Sequence, residues 1–263
     1  MKRTLIAITS FAFAVAAVCW PAASQAADGW ISLFDGKTLN GWDGDPRFWT
    51  VQDGAITGTT TADNTTTGNT FVIYVGDNDD KTPVEFGDFM LTAEYRIVGH
   101  NSGLQYRSFK LPGEQDGWRV GGYQADFDAA KQWAGTNYGE KFRGILAKRG
   151  EKAILKSVQL PSNGKPVLQR EVTAVGETEE LAKSINDAPE WNKLAINARG
   201  HRLVQKINGV IMSEVIDRDK ENRRGTGLIA LQLHQGPPMT IQMRKVKIKL
   251  IEAKVKEAAK AKE

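Results

Sequence analysis

Short runs in which aromatic and β-branched residues alternate with polar ones recur along almost the whole chain, each bounded by Gly, Asn or Asp. They cover Trp30 to Phe34, Phe48 to Val51, Phe71 to Val75, Phe89 to Val98, Gly103 to Ser108 and Trp118 to Phe127. Further on come Trp191 to Ala198, Arg202 to Ile207, Val210 to Val215, Leu228 to Leu233 and Thr240 to Leu250. Asn208-Gly209, set between two of these runs, is the strongest hairpin signal, because a type I′ turn needs φ > 0 at both central residues. About a dozen short strands with little helix predict an all-β fold of two packed sheets. Two segments depart from the pattern. Thr57 to Asn69, with seven threonines and two glycines, reads as a polar loop, and Glu177 to Ile185 as a short surface helix.

The two ends read differently. Lys2 and Arg3 precede an apolar run from Leu5 to about Trp20, and Ser24-Gln25-Ala26 supplies small residues where a signal peptidase reads. Residues 1–26 are therefore expected to be a signal peptide, and the protein periplasmic or secreted. The run is shorter than a spanning helix needs and Pro21 closes it, so no membrane span is expected after cleavage. Cys19, the only cysteine, falls in the removed segment, and Val18 before it is too large for a lipidation signal. The mature domain, 27–251, then relies on no disulfide. Residues 252–263 form a basic tail, helical or disordered. The formal charge of +4 loses two units with Lys2 and Arg3, and the tail from Lys254 carries four lysines against two glutamates, which leaves the body neutral. A neutral body argues against nucleic acid as a partner.

Motifs for phosphate binding, a nucleophile elbow or a His-Glu-x-x-His zinc site are absent, as is the Glu-x-Asp-x-x-Glu strand of retaining glucanases. A three-histidine zinc site would need all of His100, His201 and His234. What stands out is a repeated strand pattern. In GLQYRS, GYQADF and LQLHQ the apolar residues alternate with Gln105 and Arg107, with Gln124 and Asp126, and with Gln232 and His234. The pleat sends each set to one face. That face is either an ordinary solvated one or a ligand site; its shortage of lysine and its glutamines suit fixed hydrogen bonds. Trp118 and Trp133 could add stacking surfaces or belong to the core. Asp126 or His234 could take a proton, Arg107 could hold an oxyanion, and the glutamines could fix hydroxyls.

Five strings, NSGLQYRS from Asn101, GGYQADFD from Gly121, YGEKFRGILAKRG from Tyr138, HRLVQKINGV from His201 and GLIALQLHQGPPMTIQMRKVKIK from Gly227, resemble the 3-keto-glucoside 1,2-lyase/3-keto-2-hydroxy-glucal hydratase family. The opening WISLFDGKTLNGW from Trp30 is similar to that family's start. The resemblance implies a concanavalin A-like jelly-roll β-sandwich with its site on the concave face. It implies substrates that are glycosides with C3 oxidised to a ketone. Such a ketone acidifies the C2 proton, and the enolate expels the group on C1; water can later add across the alkene. This chemistry needs a base, an enolate partner and an acid, but not paired glycosidase carboxylates. On that footing Asp126 or His234 is the base and the other the acid, while Arg107 or a divalent cation stabilises the enolate. Gln105, Gln124 and Gln232 are hydroxyl ligands. Glu140 and Arg143 come from a segment in which the family more often has two glutamates before the arginine. Lys141 holds the second position here, so Glu140 stands alone, and it and Arg143 either serve the site or form a charged turn and a brace. Asp126, Glu140 and His234 are the candidate ligands of any metal.

Two other functions fit the same scaffold: a non-catalytic carbohydrate-binding domain, and a hydrolase of unoxidised polysaccharide.

Overall fold

The computed structural model describes residues 28–114, 117–159 and 166–251; the expected signal peptide and basic tail lie outside them. The first strands are β1 (Ile31–Ser32), β2 (Trp42–Asp43), β3 (Trp49–Gln52), β4 (Ala55–Thr60), β5 (Thr70–Tyr74) and β6 (Phe89–Val98). The middle of the chain supplies β7 (Asn101–Lys110), β8 (Val120–Asp128), β9 (Asn137–Glu140), β10 (Gly144–Ala147), β11 (Glu151–Gln159) and β12 (Pro166–Ala174). A short helix, α1 (Thr178–Ala182), precedes β13 (Asn192–Arg199), β14 (Arg202–Ile207), β15 (Val210–Asp217), β16 (Leu228–Leu233) and β17 (Met239–Leu250).

Two sheets form. One runs β12-β11-β15-β14-β13-β6-β17-β4-β3, with β1 added beside β17; the other runs β10-β9-β8-β7-β16-β5-β2. Pairing is antiparallel except between β11 and β15. The fold is the expected all-β jelly-roll sandwich. Apolar residues at alternate positions fill the space between the sheets: Leu91 and Tyr95 from β6, Leu104 and Tyr106 from β7, Tyr123 and Phe127 from β8, Leu231 and Leu233 from β16. Tyr95 stacks on Phe127 across the layers at 3.8 Å between ring centroids.

The Thr57–Asn69 loop expectation is corrected in its first part. β4 is an interior strand paired with β3 and β17. Its polar look hides burial: Thr57 takes a bond from Gln242 Nε2 at 3.1 Å, and a Cβ on Gly58 would lie 2.5 Å from the Trp49 ring. Strands β9 to β12, which the alternation did not signal, sit at or near the sheet ends, where β12 has neighbours on one side only.

The seven-stranded sheet positions the site. Its inner face is core; its outer face is divided. At one end Phe71, Ile73, Val120, Leu228 and Ala230 form a second apolar cluster beneath Trp118. At the other end the same alternating rows continue as Gln124, Asp126 and Asp128 on β8 and as Gln232 on β16.

Candidate functional site

The polar end of that face is the floor of a cavity of about 510 Å³, a size suited to a small ligand. Gln124, Asp126, Asp128, Tyr138, Glu140, Gln232, His234 and His100 line it, and Trp133 and Gln132 stand at its rim loop. Period-two alternation brings most of them together. Gln124, Asp126 and Asp128 alternate on β8, and Tyr138 and Glu140 on β9, beside it in register Gln124↔Tyr138.

The floor is one hydrogen-bonded chain running across three strands. Ser108 Oγ donates to Gln105 Oε1 at 2.6 Å; Gln105 Nε2 donates to Gln124 Oε1; Gln124 Nε2 donates to Asp126 Oδ1 at 2.7 Å and, more loosely, to Gln232 Oε1 at 3.4 Å. Gly103 makes this crossing feasible, because a Cβ there would meet the Gln124 side chain at 2.5 Å. Gln105 is 0% exposed and lies behind the lining, so it orients Gln124 rather than meeting a ligand. Gln232 Nε2 is buried with no protein partner, a donor held ready for an acceptor in the cavity.

Two carboxyls face each other's field here. Burial pushes Asp126 well above the usual carboxylate range; the Gln124 N–H opposes this, and Glu140 and Asp128 reinforce it. Burial also raises Glu140, and Arg119, 2.9 Å away, the Asn69 amide and Lys141 offset only part of that rise. Asp126 is thus the more strongly raised of the two, and Glu140 the one with a cationic partner.

The histidines are set by backbone. His234 Nδ1 lies 2.6 Å from the Gln235 carbonyl, so it carries the proton and leaves Nε2 as a base. His100 packs against it with 4.6 Å between centroids. Sequence alone did not nominate His100, Asp128 or Tyr138. For the latter two a signal existed in the same period two, carried one step further along GYQADFD and NYGE. His201 is exposed in the turn between β13 and β14, away from the cavity.

The expectation for Arg107 is corrected, and the alternatives left open at Arg143 and Trp118 are decided against the cavity. Arg107 does not line the cavity. A bulge between Tyr106 and Phe109 breaks the alternation, and φ of 46° at Arg107 turns its side chain inward. There it is 1% exposed, bonded to Asp88 at 2.8 Å and to the carbonyls of Gly87 and Gly200 in the other layer. Arg143 likewise reaches across to Asp217 and Asp219 and packs on Phe142, so it is a brace. Trp118 caps the second apolar cluster and donates to Asp43 at 2.9 Å, and so is no platform. Trp133 is 39% exposed at the rim. Its loop is fixed by Asp128, which accepts from Trp133 N, and by Arg149, which binds the carbonyls of Lys131 and Ala134.

Asp126, Glu140 and His234 line one cavity but do not form a ligand set. Among the described residues no three His, Cys, Asp or Glu side chains converge enough to hold a metal ion, and Arg119 already occupies Glu140. Among the same residues no helix is long and apolar enough to cross a membrane.

No curated protein matches the chain. Among solved structures, a protein of Parabacteroides distasonis ATCC 8503 described as a candidate glycosyl hydrolase is 18% identical, with a TM-score of 0.53 and coverage of 86% of this chain and 95% of that one. The carbohydrate binding module CBM66 from Bacillus subtilis is 13% identical, with a TM-score of 0.47 and coverage of 80% and 96%. The first likeness bears on the fold alone; the second carries no argument. Residues 29–249 match the 3-keto-alpha-glucoside-1,2-lyase-like domain, which points to action on carbohydrate. With the match spanning nearly all the described residues, the chain belongs to the family of 3-keto-alpha-glucoside-1,2-lyase-like domains.

Proposed function

We propose that the cavity binds a glycoside whose C3 is a ketone and eliminates its C1 substituent. His234 Nε2 takes the proton from C2. The electron pair left behind is held as the C2–C3 enolate, then returns to form the C1–C2 double bond as the C1–O bond breaks. The departing oxygen takes the proton of Asp126. The products are a 2-hydroxy-3-keto-glucal and the free aglycone, and the same acid and base can serve the addition of water to that alkene.

One observation carries this reading: a buried carboxyl, which burial pushes well above the usual carboxylate range, and an imidazole whose Nδ1 faces a carbonyl line the same sugar-sized cavity. Glu140, paired with Arg119, adds to the burial that raises Asp126 and does not act itself. The glutamine floor fixes hydroxyls through Gln124 and Gln232, and Trp133 offers a face to a sugar ring or an aglycone. Glycosidase chemistry through an oxocarbenium ion would need an ionised nucleophile or base opposite the acid, and Glu140 is tied to arginine instead. The signal peptide expected in residues 1–26 supports a reaction outside the cytoplasm.

The test is to mix the protein from Ala27 onward with a 3-keto-glucoside and with its unoxidised counterpart, with EDTA and with added divalent cations. Ultraviolet absorbance and NMR then follow the enone. Enone from the keto substrate alone, in EDTA as well, supports the reading. Consumption of the enone without cleavage selects the hydration half. Binding of sugar without turnover under any condition leaves a carbohydrate-binding domain.

A further inference from the structure

His100 and His234 are the same side chain presented with opposite polarity. The Asn101 backbone N–H donates to His100 Nδ1 at 2.8 Å, so that nitrogen must carry a lone pair and the proton sits on Nε2. In His234 a backbone carbonyl faces Nδ1, which places the proton there and the lone pair on Nε2. The two rings lie 4.6 Å apart, tilted by 31°, and line one cavity. One ring offers N–H and its neighbour offers N.

Resting on the elimination reading, we infer that His100 is a catalytic residue: its Nε2–H, from a neutral imidazole, donates to the C3 oxygen as the enolate forms, beside the base His234. The substrate presents the matching pair on adjacent atoms, a proton on C2 to be removed and an oxygen on C3 that gains charge as it leaves. A donor and an acceptor on neighbouring rings answer that pair, and Arg107, turned to the other side of the sheet, does not. Gln232 Nε2, buried without a protein partner, is the second donor on the same floor.

The placement is built rather than incidental. His100 adopts φ of 43°, a left-handed conformation uncommon for a residue with a Cβ, directly after Gly99 at 69°. Gly236 leaves room for its ring: a Cβ there would lie 2.5 Å from His100 Nε2. No residue among those described accepts a hydrogen bond from that Nε2. Protonating Nδ1 would turn the Asn101 N–H from partner into opponent. Burial and the His234 ring lower the affinity of His100 for a second proton, against the pull of Asp128. A neutral donor suits an enolate, because it stabilises charge without surrendering its proton early.

The experiment pairs rate with tautomer. ¹⁵N NMR of the imidazoles in the wild-type protein at pH 8 should show His100 with the proton on Nε2 and none on Nδ1, and on acidification its imidazolium should appear only below the ordinary histidine range. For His100→Ala, enone formation from the 3-keto-glucoside should fall about 100-fold in kcat with KM within a few-fold. His100→Gln, which keeps an N–H donor, should regain part of the loss, and so should added imidazole with His100→Ala. A protonated Nδ1, wild-type kcat in His100→Ala, or a loss confined to KM and melting temperature overturns the inference. If the wild type forms no enone, the elimination reading fails, and the catalytic role of His100 fails with it whatever the tautomer. Wild-type turnover with unaffected His100→Ala removes His100 alone.

Discussion

The seam between the two sheets and the cavity on the outer face treat carboxylates in opposite ways. At the seam Asp217 and Asp219, at and just after the end of β15 in the ten-stranded sheet, are met by Arg143, by Tyr123 Oη and by Ser157 Oγ, and the part-buried Asp88 is met by Arg107. Asp219 is held below the usual carboxylate range even though burial pushes it up, because these hydrogen bonds and Arg143 outweigh the burial. In the cavity Asp126 is also buried but has one amide N–H and no cation, and it is pushed up instead. The difference teaches where to look for chemistry. A saturated charge joins two layers, while an unsaturated one stores the capacity to give or take a proton. Arg107, which the alternation nominated, and Arg143, which the family resemblance nominated, both belong to the first kind.

Breaking the saturated seam should have the largest effect on stability. Arg143→Met leaves Asp217 buried and unpaired, and should cost about 3–5 kcal/mol in urea unfolding while turnover per folded molecule stays unchanged. At the cavity the order reverses. His234→Ala should lower enone turnover by roughly 10²–10⁴ with little loss of stability.

Asp126→Asn sharpens the contrast, since it should abolish the acid yet stabilise the fold. The sign follows from linkage: a carboxyl whose pKa is raised on folding favours the folded state below its unfolded pKa and loses that advantage as pH rises through the folded value. The gain in melting temperature on Asp126→Asn should therefore be greatest at alkaline pH and vanish in acid. By the same logic wild-type turnover should decline on the alkaline side as Asp126 ionises. The smallest effect belongs to the rim: Trp133→Ala should raise KM through loss of about 0.5–1.5 kcal/mol of stacking, with kcat nearly intact.

Much of this was readable from the alternation. β6 to β8 and β13 to β17 coincide with runs of strict period two, and so Gln124, Asp126, Gln232 and the His234 that follows β16 could be placed on one face. Glu140 was nominated by the family resemblance of its segment rather than by the alternation. Arg107 was misplaced because a bulge is an interruption of the very period that nominated it, and nothing in GLQYRS announces the extra residue. β4 was hidden by threonines that are buried against glutamine rather than solvated. β11 and β12 carry exposed Val158, Val167 and Val172 among charges, a pattern set by their place near the end of a sheet rather than by a core. His100 could not be found from spacing, since its value lies in one backbone N–H and a left-handed φ, both products of the completed turn.

The crossing of Gln124 over Gly103 has a consequence for how such a protein can diversify. The floor is made from sheet positions tied to one another across β8, β7 and β16, so a change at any of them is felt by the others and by the folding of the sheet. Trp133 and Gln132 stand on a loop anchored from behind by Asp128 and Arg149, and their side chains answer to nothing in the floor. New leaving groups can therefore be accommodated by swapping rim side chains one at a time, whereas the machinery beneath them can only be inherited whole.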